Sequence, residues 1–195
     1  MRSAVIERNT AETEIRLSLH LDGGGESAVQ TGCGFLDHML TLFSAHAGFS
    51  LDVACRGDAR VDYHHTTEDI GIVLGSAFRQ ALGNCGGINR YGFCMLPMDE
   101  ALVETTADIS GRAWLSSDVR CPTEKVGDFD TELCEEFLRA FVRTAGITLH
   151  VRQLRGSNSH HILEAVFKGL GRALRQAAAI DPSLGGAVPS TKGML

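Results

Sequence analysis

His64-His65-Thr66-Thr67-Glu68 and His160-His161-Ile162-Leu163-Glu164 are two copies of one pattern, H-H-x-x-E, set 96 residues apart. The match continues downstream at the same shift: Gly75-x-Ala77-x-Arg79-Gln80-Ala81 returns as Gly171-x-Ala173-x-Arg175-Gln176-Ala177. Upstream, Ala47-Gly48-x-x-Leu51-x-Val53 returns as Ala145-Gly146-x-x-Leu149-x-Val151 at a shift of 98, and two residues of gap reconcile the copies. A period of about half the chain is an internal duplication, not a short repeat array. The 195 residues therefore read as one unit made of two pseudo-equivalent halves, about 1–92 and 93–195.

The halves share a pattern of elements. A helix is expected over Phe35–Ala47 and again over Glu132–Ala145, each stopped by a glycine suited to the position after the last turn. Alternating apolar residues predict strands over Phe49–Cys55 and Ile147–Leu154. After a polar turn, H-H-x-x-E opens a second helix, Glu68–Leu82 or Ser159–Ala179, and Asp181-Pro182 ends the latter. Strand-like segments precede these units at Ala4–Glu7, Glu14–Leu21 and Met95–Ile109, with Asp22-Gly23-Gly24-Gly25 as a turn. The class is α+β. Apolar stripes on both helices of each half suit two sheets sandwiching helices.

Composition narrows the function classes. Hydrophobic residues at 44% and charged residues at 22% suit a packed core and argue against disorder. A net charge of −6 argues against a broad electrostatic grip on nucleic acid or anionic lipid. No apolar run approaches the roughly 18–20 residues of a membrane span; the longest, Ile70–Phe78, lies between Asp69 and Arg79. Arg2, Glu7, Arg8, Glu12 and Glu14 crowd the N-terminus, where a secretory signal would need an apolar run. The six cysteines form no C-x-x-C pair, so zinc-ribbon spacing is absent and reduced thiols of a cytoplasmic protein are expected.

The histidines carry the chemistry. Adjacent residues on a helix project about 100° apart, so His64 and His65 each suit a different ion. At the 98-residue shift His38 aligns with Glu136, a further pair of candidate donors on corresponding helices. His38, His64, His65, Glu68, Glu136, His160, His161 and Glu164 then make eight donors, four for each of two metals. Imidazole plus carboxylate with open positions favours manganese or iron over a closed thiolate zinc site. His46 and His150 stand outside the pattern, and packing or a ligand-supporting role fits either.

Longer runs resemble a known family. Gly34-Phe35-Leu36-Asp37-His38-Met39-Leu40, His64-His65-Thr66-Thr67-Glu68-Asp69 and Ser159-His160-His161-Ile162-Leu163-Glu164-Ala165 closely resemble imidazoleglycerol-phosphate dehydratase. Gly87-Ile88-Asn89-Arg90-Tyr91-Gly92, Pro97-Met98-Asp99-Glu100-Ala101, Ser110-Gly111-Arg112 and Pro189-Ser190-Thr191-Lys192-Gly193 extend the resemblance over nearly the whole chain. It implies a duplicated unit like the second domain of ribosomal protein S5, and the sixth step of histidine biosynthesis. Imidazoleglycerol phosphate loses water there to give imidazoleacetol phosphate. It also implies two Mn(II) ions per active site, held by the donors named above, and a homo-oligomer of 24 subunits built from trimers. Family correspondence assigns the phosphate to Arg90, Arg112, Lys168, Ser190 and Lys192, and catalysis to Glu12, with Glu14 as the fallback. The expected protein is monofunctional. One departure is Leu42, where many members have a glutamine that helps hold the phosphate.

The proton to be removed lies next to no carbonyl, so an enolate route is closed. Metals on both ring nitrogens favour imidazolate. Imidazolate can expel the hydroxyl as hydroxide and become a diazafulvene, which acidifies the adjacent C–H. Glu12 and Glu164 are then the expected proton carriers, and Asp99 is expected to orient a substrate hydroxyl or a ligand histidine. A dinuclear metallohydrolase or a metal-binding shell protein are the competing readings. The first calls for a bridging aspartate, and the second leaves Arg90, Arg112, Lys168 and Lys192 without a role.

Overall fold

A computed structural model describes residues 2–195. The first half runs β1 (Ser3–Asn9), β2 (Thr13–His20), β3 (Ser27–Gln30), α1 (Gly34–Ala47), β4 (Ser50–Gly57) and α2 (His64–Leu82). The second runs β5 (Tyr91–Met98), β6 (Ala101–Asp108), β7 (Trp114–Asp118), a small hairpin of β8 (Lys125–Val126) and β9 (Phe129–Asp130), α3 (Leu133–Ala145), β10 (Thr148–Arg155) and α4 (Ser159–Ala178). Among the described residues the two four-stranded sheets have orders β1-β2-β4-β3 and β5-β6-β10-β7. In both, the third strand of the half pairs parallel to the fourth and the other pairings are antiparallel. Setting the hairpin aside, the halves have one topology. The expected boundary between residues 92 and 93 lies just inside β5.

Local chemistry explains the helix ends. Gly48 and Gly146 close α1 and α3 in the left-handed region, with φ of 66° and 68°, where a side chain would be strained. The second helix of the first half starts four residues before the expected Glu68. Asp62 accepts a hydrogen bond from the His64 N–H at 2.7 Å and so extends the helix back over both histidines. Asn158, at the corresponding position 96 residues on, does the same for the N–H groups of His160 and His161.

The expected strand Met95–Ile109 is two strands, β5 and β6, joined at Asp99-Glu100. Asp99 takes φ of 48°, a turn conformation that hydrophobic alternation does not signal. The short β3 and the edge strand β7 were also invisible as patterns: four residues, or mostly exposed positions, show little periodicity.

The helices lie between the sheets, α1 against α4 and α2 against α3. Buried phenylalanines form a chain through this layer: Phe43–Phe49–Phe78 within the first half, Phe78–Phe141 across the seam at 5.9 Å, then Phe141–Phe137–Phe167. Each such pair contributes about 0.5–1.5 kcal/mol beyond its buried area.

Close approach of the helices depends on repeated glycines. A Cβ at Gly171 of α4 would stand 2.7 Å from the Phe43 carbonyl oxygen and 3.0 Å from the Ala47 nitrogen of α1. Its counterpart Gly75 of α2 meets α3 backbone at Phe141 in the same way. Gly171→Ala should lower the free energy of unfolding by about 1–3 kcal/mol, because the clash is with backbone. The roughly 1 kcal/mol that alanine adds to helix propensity offsets only part of that clash. Urea denaturation reads the change, and an unaltered midpoint would contradict the close-contact role.

Candidate metal centre and substrate-binding residues

The packing of α1 on α4 brings His38 to the first turn of α4. The Nε2 atoms of His160 and His38 stand 3.2 Å and 3.7 Å from Glu164 Oε2. Among the described residues, these three are the only group of three or more donors that lie mutually within 4.8 Å. Glu164 is 7% exposed. Burial pushes its carboxyl up, but the Lys168 ammonium one turn on and His160 outweigh that, and the group sits below the ordinary carboxylate value. Phe35 packs its ring edgewise on His160 with centroids 5.3 Å apart.

These donors fit a divalent ion. Metal–ligand bonds of about 2.0–2.2 Å set neighbouring donors of an open shell roughly 3 Å apart, close to the spacing here. Nitrogen and oxygen donors without thiolate suit a divalent transition-metal ion with open coordination positions.

The paired histidines diverge. The rings of His64 and His65 are 6.1 Å apart at 84°, and those of His160 and His161 are 6.2 Å apart at 82°. Each second histidine lies between two carboxylates. His65 places Nδ1 2.9 Å from Asp58 and Nε2 3.6 Å from Glu12. His161 places Nδ1 2.7 Å from Glu100 and Nε2 3.8 Å from Asp99. The hydrogen bond to Asp58 raises the pKa of His65, and that to Glu100 raises the pKa of His161. The same bond, with backbone N–H groups of Ser157 and Asn158, draws Glu100 down to about 2.

The other donors are not gathered in this way. Glu68 turns its carboxylate to Arg143 of α3 at 3.1 Å. On α1 the position corresponding to Arg143 is Ala45, so Glu164 meets no arginine from its facing helix. Glu136 lines a depression on α3 with Glu132 and Cys134, and joins no cluster of three donors among the described residues. His46 accepts a long 3.5 Å bond from Arg172, and His150 is exposed on β10.

The basic residues divide into two places. Lys168 belongs to the histidine cluster through Glu164 and lies 3.8 Å from the Met98 sulfur. Arg90 forks onto Asp108 at 2.8 and 3.3 Å and donates to the Pro189 carbonyl at 3.0 Å. Arg112 is 3.9 Å from the same aspartate. The tail carrying Ser190 and Lys192 folds over this corner, and Ser190 Oγ accepts from the Lys192 N–H at 3.2 Å. Arg90 also bonds the Ala177 carbonyl at the far end of α4 from His160. Seventeen helical residues separate those ends, about 26 Å at 1.5 Å per residue. Leu42 is half-buried against the core and offers no polar group there.

Sequence reasoning missed Asp58 and Glu100. Glu100 stands inside Pro97-Met98-Asp99-Glu100-Ala101, one of the runs that carried the resemblance, so it was within reach. Asp58, in a polar turn, had no comparable signal.

A doubled β-β-β-α-β-α frame with imidazole and carboxylate donors at matching helix ends marks an α+β protein with a site of metal-ligand type. The family described as imidazoleglycerol-phosphate dehydratase matches residues 31–174. Imidazoleglycerol-phosphate dehydratases of Azorhizobium caulinodans and Oceanobacillus iheyensis are each 55% identical over 195 residues, covering all of this chain and 99% and 100% of theirs. The solved Staphylococcus aureus enzyme is similar with a TM-score of 0.84 at 43% identity, over 92% of this chain and 99% of its own. A Pyrococcus furiosus structure gives 0.84 at 38%, over 97% and 100%. The chain belongs to the imidazoleglycerol-phosphate dehydratase family. It is a hydro-lyase of histidine biosynthesis.

Metal affinity should be strongly pH-dependent, because imidazole must be neutral to bind. The carboxylates hold His65 and His161 above the ordinary value of roughly 6.5. Protons therefore begin to compete at higher pH than at an isolated histidine. Mn(II) titration followed by electron paramagnetic resonance should show full affinity only above that raised range and a steady loss below it. Affinity unchanged from about pH 8 to 5.5 would refute histidine ligation.

Proposed function

We propose that this chain removes water from imidazoleglycerol phosphate to give imidazoleacetol phosphate, using two Mn(II) ions held by His38, His64, His65, Glu68, Glu136, His160, His161 and Glu164. The observation that carries the metal reading is the convergence of His38, His160 and Glu164. Neither a bridging aspartate nor a storage shell is needed to account for it, and the family match favours the dehydratase over both alternatives. The metal supplies Lewis acidity toward the imidazole nitrogens of the substrate.

The chain's own groups handle protons and phosphate. Glu164, held ionised by Lys168, is equipped to ligate and to accept a proton. Glu12 is half-exposed beside His65 and is the base for the proton on the carbinol carbon adjacent to the one that loses its hydroxyl. Asp99 faces His161 and orients a substrate hydroxyl. Arg90, Arg112, Ser190 and Lys192 receive the phosphate, a role guanidinium forks suit. Lys168 adds charge from the side of the histidines.

A substrate with three carbons between ring and phosphate is far shorter than the separation of about 26 Å between His160 and Arg90 along α4. This supports an active site completed by a neighbouring subunit, within a 24-mer built from trimers. The cytoplasmic location belongs to the same proposal and draws on six unpaired cysteines.

The test is a dehydratase assay on chelator-treated protein with and without added Mn(II). Activity should vanish and return. Glu12→Gln, which removes the base but keeps the size, should lower kcat by about 10²-fold or more with metal content unchanged. Full activity without metal, or wild-type turnover in Glu12→Gln, would overturn the corresponding assignment and move attention to Glu14.

Assembly gives a second readout. Metal bound between subunits stabilises only the assembled form, so chelation should shift the particle from about 24 subunits toward trimers. Unchanged size in light scattering would contradict metal-linked assembly.

A further inference from the structure

His65 and His161 share a contact that their repeat does not dictate. Each has Nδ1 against a carboxylate, Asp58 at 2.9 Å or Glu100 at 2.7 Å. These carboxylates are not repeat equivalents: Asp58 directly follows β4, whereas Glu100 directly precedes β6. The same arrangement thus arises from two unrelated positions. An ionised carboxylate only accepts hydrogen bonds, so Nδ1 carries the hydrogen in both rings and Nε2 keeps its lone pair. That lone pair points toward Glu12 in one site and Asp99 in the other.

We infer that Asp58 and Glu100 are positioning residues that hold His65 and His161 in the Nδ1–H tautomer, so that Nε2 is the metal-binding atom. The inference rests on the proposed ligand role of these two histidines. A partner on the second ring nitrogen fixes both the tautomer and the orientation of a ligating imidazole.

The two carboxylates are held differently, and this separates their isosteric variants. One oxygen of Glu100 accepts the N–H groups of Ser157 and Asn158 at 3.1 and 2.7 Å, and the other faces His161. In Glu100→Gln the amide oxygen must stay with those two donors. The NH₂ group then faces Nδ1 and donates to it. The ring hydrogen is forced onto Nε2, which can no longer ligate. The loop before α4 keeps its acceptor, so the variant should fold. At Asp58 the second oxygen is buried and bonds to no partner among the described residues. Asp58→Asn can therefore turn its carbonyl toward His65 and preserve the tautomer.

Nitrogen-15 NMR of histidine-labelled, chelator-treated full chain reads the tautomers, and Mn(II) titration reads affinity. Glu100→Gln should convert His161 to the Nε2–H form and weaken Mn(II) binding by about 10–100-fold. Asp58→Asn should keep the Nδ1–H form at His65 and weaken binding by less than about 10-fold. His161→Ala separates the two levels of the reading. If it loses Mn(II) while Glu100→Gln binds normally with its native tautomer, the ligand role stands and the positioning role is overturned. If His161→Ala binds Mn(II) as tightly as the native chain, both fall. Equal losses in Glu100→Gln and Asp58→Asn would also overturn the inference, because they would reflect lost charge rather than tautomer control.

Discussion

His38 and Glu164 are 126 residues apart in the chain and meet because α1 lies directly on α4. That contact is the constraint on which the site depends. It requires a glycine at the crossing, since the backbone of Phe43 and Ala47 occupies the space a side chain at Gly171 would need. The duplicated crossing of α2 on α3 uses Gly75 in the same manner. Between them runs the phenylalanine chain that couples the two halves into one core, so donors on different helices keep their spacing.

Electrostatics then distinguishes the halves. A carboxylate as buried as Glu164 is costly unless it is paired, and Lys168, His160 and His38 surround it. The corresponding Glu68 is half-buried and satisfied by Arg143 instead. Position 72, which corresponds to Lys168, is isoleucine, and position 45, which corresponds to Arg143, is alanine. One duplicated frame therefore carries two different charge arrangements, a close cluster at α4 and a looser one at α2. Opposite the cluster, at the far end of α4, Arg90, Arg112 and the tail converge around Asp108. Within one chain the metal-type donors and these cationic groups face different places.

The sequence by itself determined the duplication, the α+β class, the helices and the candidate donors, because these rest on local periodicity and short motifs. Asp62 and Asn158 show the limit of that reading. Their capping hydrogen bonds carried α2 back to His64, beyond the expected start at Glu68, and set both histidine pairs in first turns. Short strands without alternation, β3 and β7, and the Asp99-Glu100 turn inside the expected Met95–Ile109 run were decided by pairing across the sheets. Only the tertiary structure decided which donors meet. His38 reaches Glu164 through helix packing, Glu68 is taken by Arg143, and Asp58 and Glu100 reach histidines from loops that no periodicity marks. Local patterns dictate which face of an element is buried, but contacts such as Glu68–Arg143, 75 residues apart, depend on how the helices cross, and that is settled by the packing of the whole core.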